Sequence, residues 1–213
     1  RAVTAARRAF DDGPWPRMTP GQRAEYLREI ASGLEERIGD VTQFWPRESG
    51  VLAKIVPPAM GEVLTAFNFY ANLADEYPFE EVVPPSSSDG YGLRVGEPVG
   101  VVGAIIPWNT PLHLLTYKLA PALLAGCTVV VKVSPEAPSS GYLIAEIVEK
   151  IGLPPGVVNV VTADRMASEA LVLDSRVDKI TFTGSTAVGK RIAGIMANRV
   201  GRYTLELGGK SPA

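Results

Sequence analysis

Ile180-Thr181-Phe182-Thr183-Gly184-Ser185-Thr186-Ala187-Val188-Gly189-Lys190 is the stretch from which the fold is read. A short β-branched and aromatic run meets a glycine and small hydroxyl residues, then passes directly into helix-forming sequence. Strand, tight turn and helix in that order form the unit of a parallel α/β sheet, because parallel neighbours can be joined only by a crossover. Outward from this stretch the unit recurs. Apolar β-rich runs at 99–106, 128–133, 157–161, 180–183 and 204–207 alternate with helical stretches at 112–125, 139–151, 166–173 and 185–197. The reading is a five-stranded parallel Rossmann-like sheet with helices on both faces. Ligands of such sheets bind beyond the carboxyl ends of the strands.

Ahead of the sheet the pattern is helical. Thr19-Pro20-Gly21-Gln22 offers a capping hydroxyl, a proline at the first helical position and a glutamine three residues after the cap. Leu27, Ile30, Leu34 and Ile38 follow at helical spacing, as do Met60, Val63, Leu64, Phe67 and Ala71. A Pro/Ser/Gly stretch, Pro84-Pro85-Ser86-Ser87-Ser88-Asp89-Gly90, flanked by Val82-Val83 and Leu93-Arg94-Val95, reads as a long-looped hairpin. The expected division is an N-terminal helical layer over 1–77, a hairpin segment over 78–98 and a nucleotide-binding α/β core over 99–213. The chain begins inside a helical pattern and stops directly after a glycine pair and Lys210-Ser211-Pro212-Ala213, so it reads as part of a longer polypeptide.

Composition narrows the function classes. The 213 residues carry a formal net charge of −2 without a basic run, which argues against a nucleic-acid surface and for small-molecule partners. The longest apolar stretch lies between Lys118 and Lys132, is interrupted by Pro121 and Gly126, and is short of the roughly 20 residues of a membrane span. One cysteine, Cys127, cannot form an internal disulfide and suits a reducing compartment, with the cytoplasm as the expectation. No ligand cluster for a metal is present.

Several segments can carry chemistry, and each also has an ordinary structural reading. The turn at Gly184-Ser185 opens a helix whose free N–H groups favour a phosphate, although a capped turn needs no ligand. It nearly spells a P-loop, but Arg191 stands where that loop needs a magnesium-binding hydroxyl, and the six-residue dinucleotide fingerprint is missing because Gly96, Gly100 and Gly103 have the wrong spacing. Ile106-Pro107-Trp108-Asn109 ends a buried strand with an amide that can donate to a developing oxyanion or serve as a turn residue. Lys132 ends the apolar strand 128–131, where its ammonium reaches either a ribose or solvent. Glu206, flanked by Leu205 and Leu207, is a candidate general base if desolvation raises its pKa, or an outward carboxylate on a surface strand.

Together, Pro107-Trp108-Asn109, Val130-Val131-Lys132, Phe182-Thr183-Gly184-Ser185 and Glu206-Leu207-Gly208-Gly209-Lys210, in this order, resemble the aldehyde dehydrogenase superfamily over nearly the whole chain. The resemblance implies oxidation of an aldehyde by NAD or NADP through a cysteine thioester, with a glutamate activating the hydrolytic water. It implies that Asn109 is the oxyanion donor, Glu206 the general base and Lys118 a residue near the active site. Lys132 would bond the adenosine ribose, and Gly184 and Ser185 would approach the pyrophosphate. Ile106, Pro107, Trp108, Arg165, Thr183, Val188 and Leu207 would complete the cofactor cleft. The family's thiol lies in a catalytic domain that follows the last motif and is absent here. Cys127, at the opposite end of the second strand, reads as a core residue, and His113 as a packed or partly exposed side chain.

Two departures bear on the cofactor. Many NAD-preferring members of the family carry a glutamate three residues after the ribose lysine; here that position is Pro135, Glu136 follows one residue later, and Arg165 is placed to meet a 2′-phosphate. Tolerance of NADP is therefore expected. The segment 80–97 resembles the family's assembly hairpin, which implies a homo-oligomer. A stand-alone nucleotide-binding module and, more distantly, a P-loop-like NTPase are the alternative readings.

Overall fold

The computed structural model describes residues 1–85 and 90–210; Ser86-Ser87-Ser88-Asp89 of the expected hairpin loop and the terminal Ser211-Pro212-Ala213 lie outside the described residues. Four helices come first: α1 (Ala2–Asp11), α2 (Pro20–Glu36), α3 (Ile38–Ser49) and α4 (Val56–Glu76). An antiparallel pair, β1 (Glu80–Val83) and β2 (Gly92–Val95), follows. Then β3 (Val101–Ile105), α5 (Pro111–Leu124), β4 (Thr128–Val133), α6 (Ser139–Lys150), β5 (Val158–Thr162), α7 (Arg165–Leu173), β6 (Lys179–Gly184), α8 (Thr186–Ala197) and β7 (Arg202–Leu207) build the α/β core.

The five core strands are all parallel, in the order β5-β4-β3-β6-β7. The chain winds from β3 outward to β5, returns to the other side of β3 for β6, and ends at the β7 edge. Side-chain alternation assigns the two faces. Val102, Ala104, Val129, Val131 and Val133 point into a core built with α2, α4, α5 and α6, whereas Val101, Ile105 and Val130 point into a second core with α1, α7 and α8. Burial on both faces explains why β3 and β4 read as continuous apolar runs.

The local signals hold. Thr19 Oγ1 accepts from Gln22 N at 3.2 Å while Gln22 Oε1 accepts from Thr19 N at 2.9 Å, so the capping box at the start of α2 is formed in both directions. The N-terminal segment is built of helices, but they do not form one layer. Thr128 Oγ1 on β4 donates to Ala6 O at 3.0 Å, tying α1 to the face opposite the one α2 and α4 cover. Strand and helix ends of the α/β core differ from the sequence-based bounds by up to two residues. β3 starts two residues later than read, and β7 starts two residues earlier, at Arg202, because its register continues β6 down to Lys179.

Candidate active site

Two hollows open beyond the carboxyl ends of β3, β4 and β6, flanking the point where the strand order reverses. The first, about 390 Å³, is walled by Ile105, Phe182, Val188 and Ile192 and rimmed by Lys132, Glu136, Arg165 and Arg191. The second, about 640 Å³, brings together Pro107, Asn109, Lys118, Thr183, Gly184, Glu206 and Leu207.

In the first hollow Lys132 is half-buried at the end of β4, and burial lowers its pKa while the carboxylates of Glu136 and Asp164 oppose the shift. Glu136 does share the hollow with Lys132, although it comes one residue later than the position at which the sequence reading sought an acid. The chain bends at Ser134-Pro135, and the Glu136 carboxylate accepts a hydrogen bond from Ser134 Oγ, which holds its pKa below the usual range. Arg165 opens α7, whose first turn is capped by Asp164 Oδ1 accepting from Ala167 N at 3.0 Å. Arg191 on α8 is ion-paired with Glu169 on α7. Sequence reasoning passed over Glu169 and Arg191 as site residues, because only folding turns the facing sides of α7 and α8 toward one hollow.

Two glycines permit close approaches where β6 passes into α8. A Cβ at Gly184 would sit 2.5 Å from the Phe182 ring, and one at Gly189 would sit 2.4 Å from Leu207 Cδ2. The first lets the backbone turn tightly over the strand end, and the second lets α8 lie close on β7. Ser185 caps α8, its Oγ accepting from Val188 N at 3.4 Å, and lines neither hollow.

In the second hollow the groups come from four elements. Lys118, on α5, is 8% exposed and donates to Thr181 Oγ1 at 3.3 Å. Burial lowers its pKa; Glu206 counteracts the shift and Lys179 adds to it. Thr183 lines the hollow, and its Oγ1 is buried without a hydrogen-bond partner. Asn109 follows β3, and its backbone carbonyl accepts from Trp45 Nε1 at 2.9 Å, which fixes the turn while the side-chain amide is exposed. Glu206 is exposed, not desolvated as the flanking leucines suggested. β7 is the edge of the sheet, where apolar neighbours on either side do not enclose the residue between them. Trp108 is exposed and Ile106 is buried in the core, and neither lines the two hollows.

The other sequence candidates lie elsewhere. Cys127 is buried at the entry to β4, far end of the strand from Lys132, and desolvation raises its thiol pKa. His113 Nε2 is 3.7 Å from Glu62 Oε2 and edge-on to Tyr117. Among the described residues no group of three or more His, Cys, Asp and Glu could hold a metal, and no helix is long and apolar enough to cross a membrane.

The model of the aldehyde dehydrogenase family matches residues 1–213. The chain belongs to the aldehyde dehydrogenase family. Among curated relatives it is 42% identical to a geranial dehydrogenase of Castellaniella defragrans, covering 100% of this chain and 45% of that one. It is 40% identical to a mitochondrial succinate-semialdehyde dehydrogenase of Arabidopsis thaliana, covering 100% and 40%. Its fold matches that of a Mycobacterium tuberculosis aldehyde dehydrogenase complexed with NAD⁺, at a TM-score of 0.93 and 41% identity over 98% of this chain and 43% of that one. The chain thus spans less than half the length of the aldehyde dehydrogenases it matches. The five-stranded parallel sheet flanked by helices is the corresponding part of those aldehyde dehydrogenase structures.

Proposed function

We propose that the protein carrying this chain oxidises an aldehyde to a carboxylic acid with NAD or NADP, and that this chain supplies the cofactor cleft, an oxyanion donor and a general base. The observation that carries the reading is the convergence of Asn109, Lys118 and Glu206 on one hollow beside a second, apolar hollow rimmed by Lys132 and Arg165. The residues suit a dinucleotide. The first hollow has flat apolar walls for an adenine, with Ile105, Phe182 and Val188, and a lysine at its rim for ribose hydroxyls. In the second hollow Thr183 carries a buried hydroxyl that no group of this chain bonds. A nicotinamide dinucleotide, when bound, accepts the hydride.

The roles of this chain's residues follow from their chemistry. The Asn109 side chain donates an N–H to the oxygen on which negative charge develops as the aldehyde carbon becomes tetrahedral. Its backbone is held by Trp45, so the donor is positioned before the charge appears. Glu206, exposed at the sheet edge, reaches water and takes a proton from the attacking molecule. Lys118 places a buried positive centre near that carboxylate. The nucleophile is assigned to residues outside this chain, because Cys127 is buried at the opposite end of the sheet.

The same reading divides the chain into an N-terminal helical part (1–77), a hairpin (78–98) and the cofactor-binding core (99–213). Val82, Leu93 and Val95 are exposed apolar side chains on β1 and β2, which supports the hairpin as a contact with a second copy. Partners are an aldehyde and a nicotinamide dinucleotide, and the setting is the cytoplasm. The test is aldehyde-dependent formation of reduced nicotinamide by the protein at its natural length, with either cofactor. Absence of any such activity across short aliphatic, aromatic and semialdehyde substrates, in folded protein, would refute it.

A further inference from the structure

The mouth of the hollow between α7 and α8 carries more charge than holding an adenine requires. Lys132, Arg165 and Arg191 face Glu136, Asp164 and Glu169 there, and these six are unequally engaged. Asp164 caps α7 and Glu136 accepts from Ser134 Oγ. Glu169 accepts from Arg191 Nη2, bridging the two helices that form the walls. Among the described residues Lys132 and Arg165 have no ion-pair partner within 4.0 Å. The Glu169 carboxyl is held below its usual range by the hydrogen bond from Arg191 first and, more weakly, by the nearby charge of Arg165.

An ion pair between neighbouring surface helices ordinarily does little beyond a small contribution to stability. This one lines the hollow itself, and the Glu169 side chain is only 29% exposed, so an anion entering the mouth meets it. Selectivity between two ligands is a difference of affinities and is often set by a repulsive group. We propose that Glu169 is a specificity-determining residue that discriminates against a phosphate on the adenosine ribose: it occupies Arg191 and repels a further anion. The inference rests on the reading of this hollow as the dinucleotide site. It places the cofactor choice in a contact between α7 and α8, and not solely in the residues that follow β4.

The test is calorimetric titration of NAD⁺ and NADP⁺ against the protein at its natural length, and against E169Q and R191Q. E169Q releases Arg191 and removes the repulsion, so NADP⁺ binding tightens about five- to tenfold while NAD⁺ stays within roughly twofold. R191Q leaves Glu169 without its main partner, so NADP⁺ binding weakens by a similar factor and NAD⁺ again holds. The opposite signs separate this role from a structural brace, whose two halves would shift both cofactors in one direction. Shifts of the same sign in the two variants, or an unchanged ratio in either, overturn the proposal, and each variant alone decides its own sign. Failure of the unsubstituted protein to bind either dinucleotide removes the cofactor reading itself. NAD⁺ binding with a ratio indifferent to Glu169 removes only this inference.

Discussion

The ammonium of Lys118 on α5 donates across the domain interior to Thr181 Oγ1 on β6, 3.3 Å away, and the two residues are 8% and 7% exposed. Burial lowers the lysine pKa, with Glu206 opposing the shift and Lys179 adding to it. A base whose pKa is depressed on folding leaves the unfolded chain holding more protons between the two values, so stability rises with pH in that interval. The interval runs from the lowered folded value up to the unperturbed 10.5. Lys118→Met is therefore expected to flatten the alkaline rise in thermal stability, and Thr181→Val to cost about 1–3 kcal/mol by stripping the ammonium of its partner. Thermal and denaturant unfolding across a pH series check both. An alkaline rise of the same size in Lys118→Met would assign it to another group.

Asn109→Ala is expected to lower turnover by about a hundredfold or more while leaving cofactor affinity within roughly twofold, as for the loss of other oxyanion donors. The fold is not at risk, because the bond from Trp45 goes to the Asn109 backbone and the side chain is exposed. Steady-state kinetics and a cofactor titration on the same sample separate the two effects. Equal losses in turnover and in cofactor affinity would make Asn109 a binding residue.

What was legible in the sequence, and what was not, divides along physical lines. Strands buried on both faces read as continuous apolar runs, so Val101–Ile105 and Val129–Val131 announce themselves as central strands, and the polar residues that follow, Asn109 and Lys132, as residues of the ligand edge. The helices were legible from spacing, but the face each covers was not. The side taken by α1 depends on pairs such as Thr128 with Ala6 and Arg7 with Asp178, the latter 171 residues apart, and no local pattern encodes them. Glu206 shows the converse case, where the sequence left a desolvated base and an outward surface carboxylate both open and the structure shows the exposed one. Its leucine neighbours would enclose it on a central strand, yet β7 is an edge, and edge position is a property of topology. Glu169 and Arg191 were hidden for a similar reason, each looking like a solvated helix residue until α7 and α8 face one another.

Val200 has φ 53 and is 94% exposed in the turn between α8 and β7. A β-branched residue resists this left-handed conformation, at a cost of about 1–2 kcal/mol. Its side chain gains little from packing in return, while the turn is closed through the backbone, Val200 N donating to Ala197 O at 3.1 Å and Gly201 N to Met196 O at 2.8 Å. Val200→Gly is expected to stabilise the protein by about 0.5–1 kcal/mol, after the greater unfolded-state entropy of glycine is set against the relief of strain. Chemical denaturation measures this, and a destabilised variant would show that the valine side chain makes a contact that offsets its strain.

Gly100 and Asp178 place the opposite demand on a turn. The Asp178 carboxylate accepts from Val101 N at 2.7 Å and from Arg7 Nη1 at 2.8 Å, joining the start of β3, the start of β6 and α1 at the end of the sheet away from the site. It can do so only because Gly100 lacks a side chain. A Cβ there would lie 1.9 Å from Asp178 Oδ2, and the residue has φ +119, a backbone region that other residues rarely enter. Gly100→Ala therefore has to displace the carboxylate, abandon the charge-assisted bond to Val101 and strain the backbone, an expected loss of about 2 kcal/mol or more. Asp178→Asn keeps a side-chain oxygen for Val101 but weakens the bond from Arg7, and should cost about half as much. If denaturation midpoints rank Asp178→Asn below Gly100→Ala, the ion pair with Arg7, and not the steric fit at Gly100, is the dominant contribution at this corner.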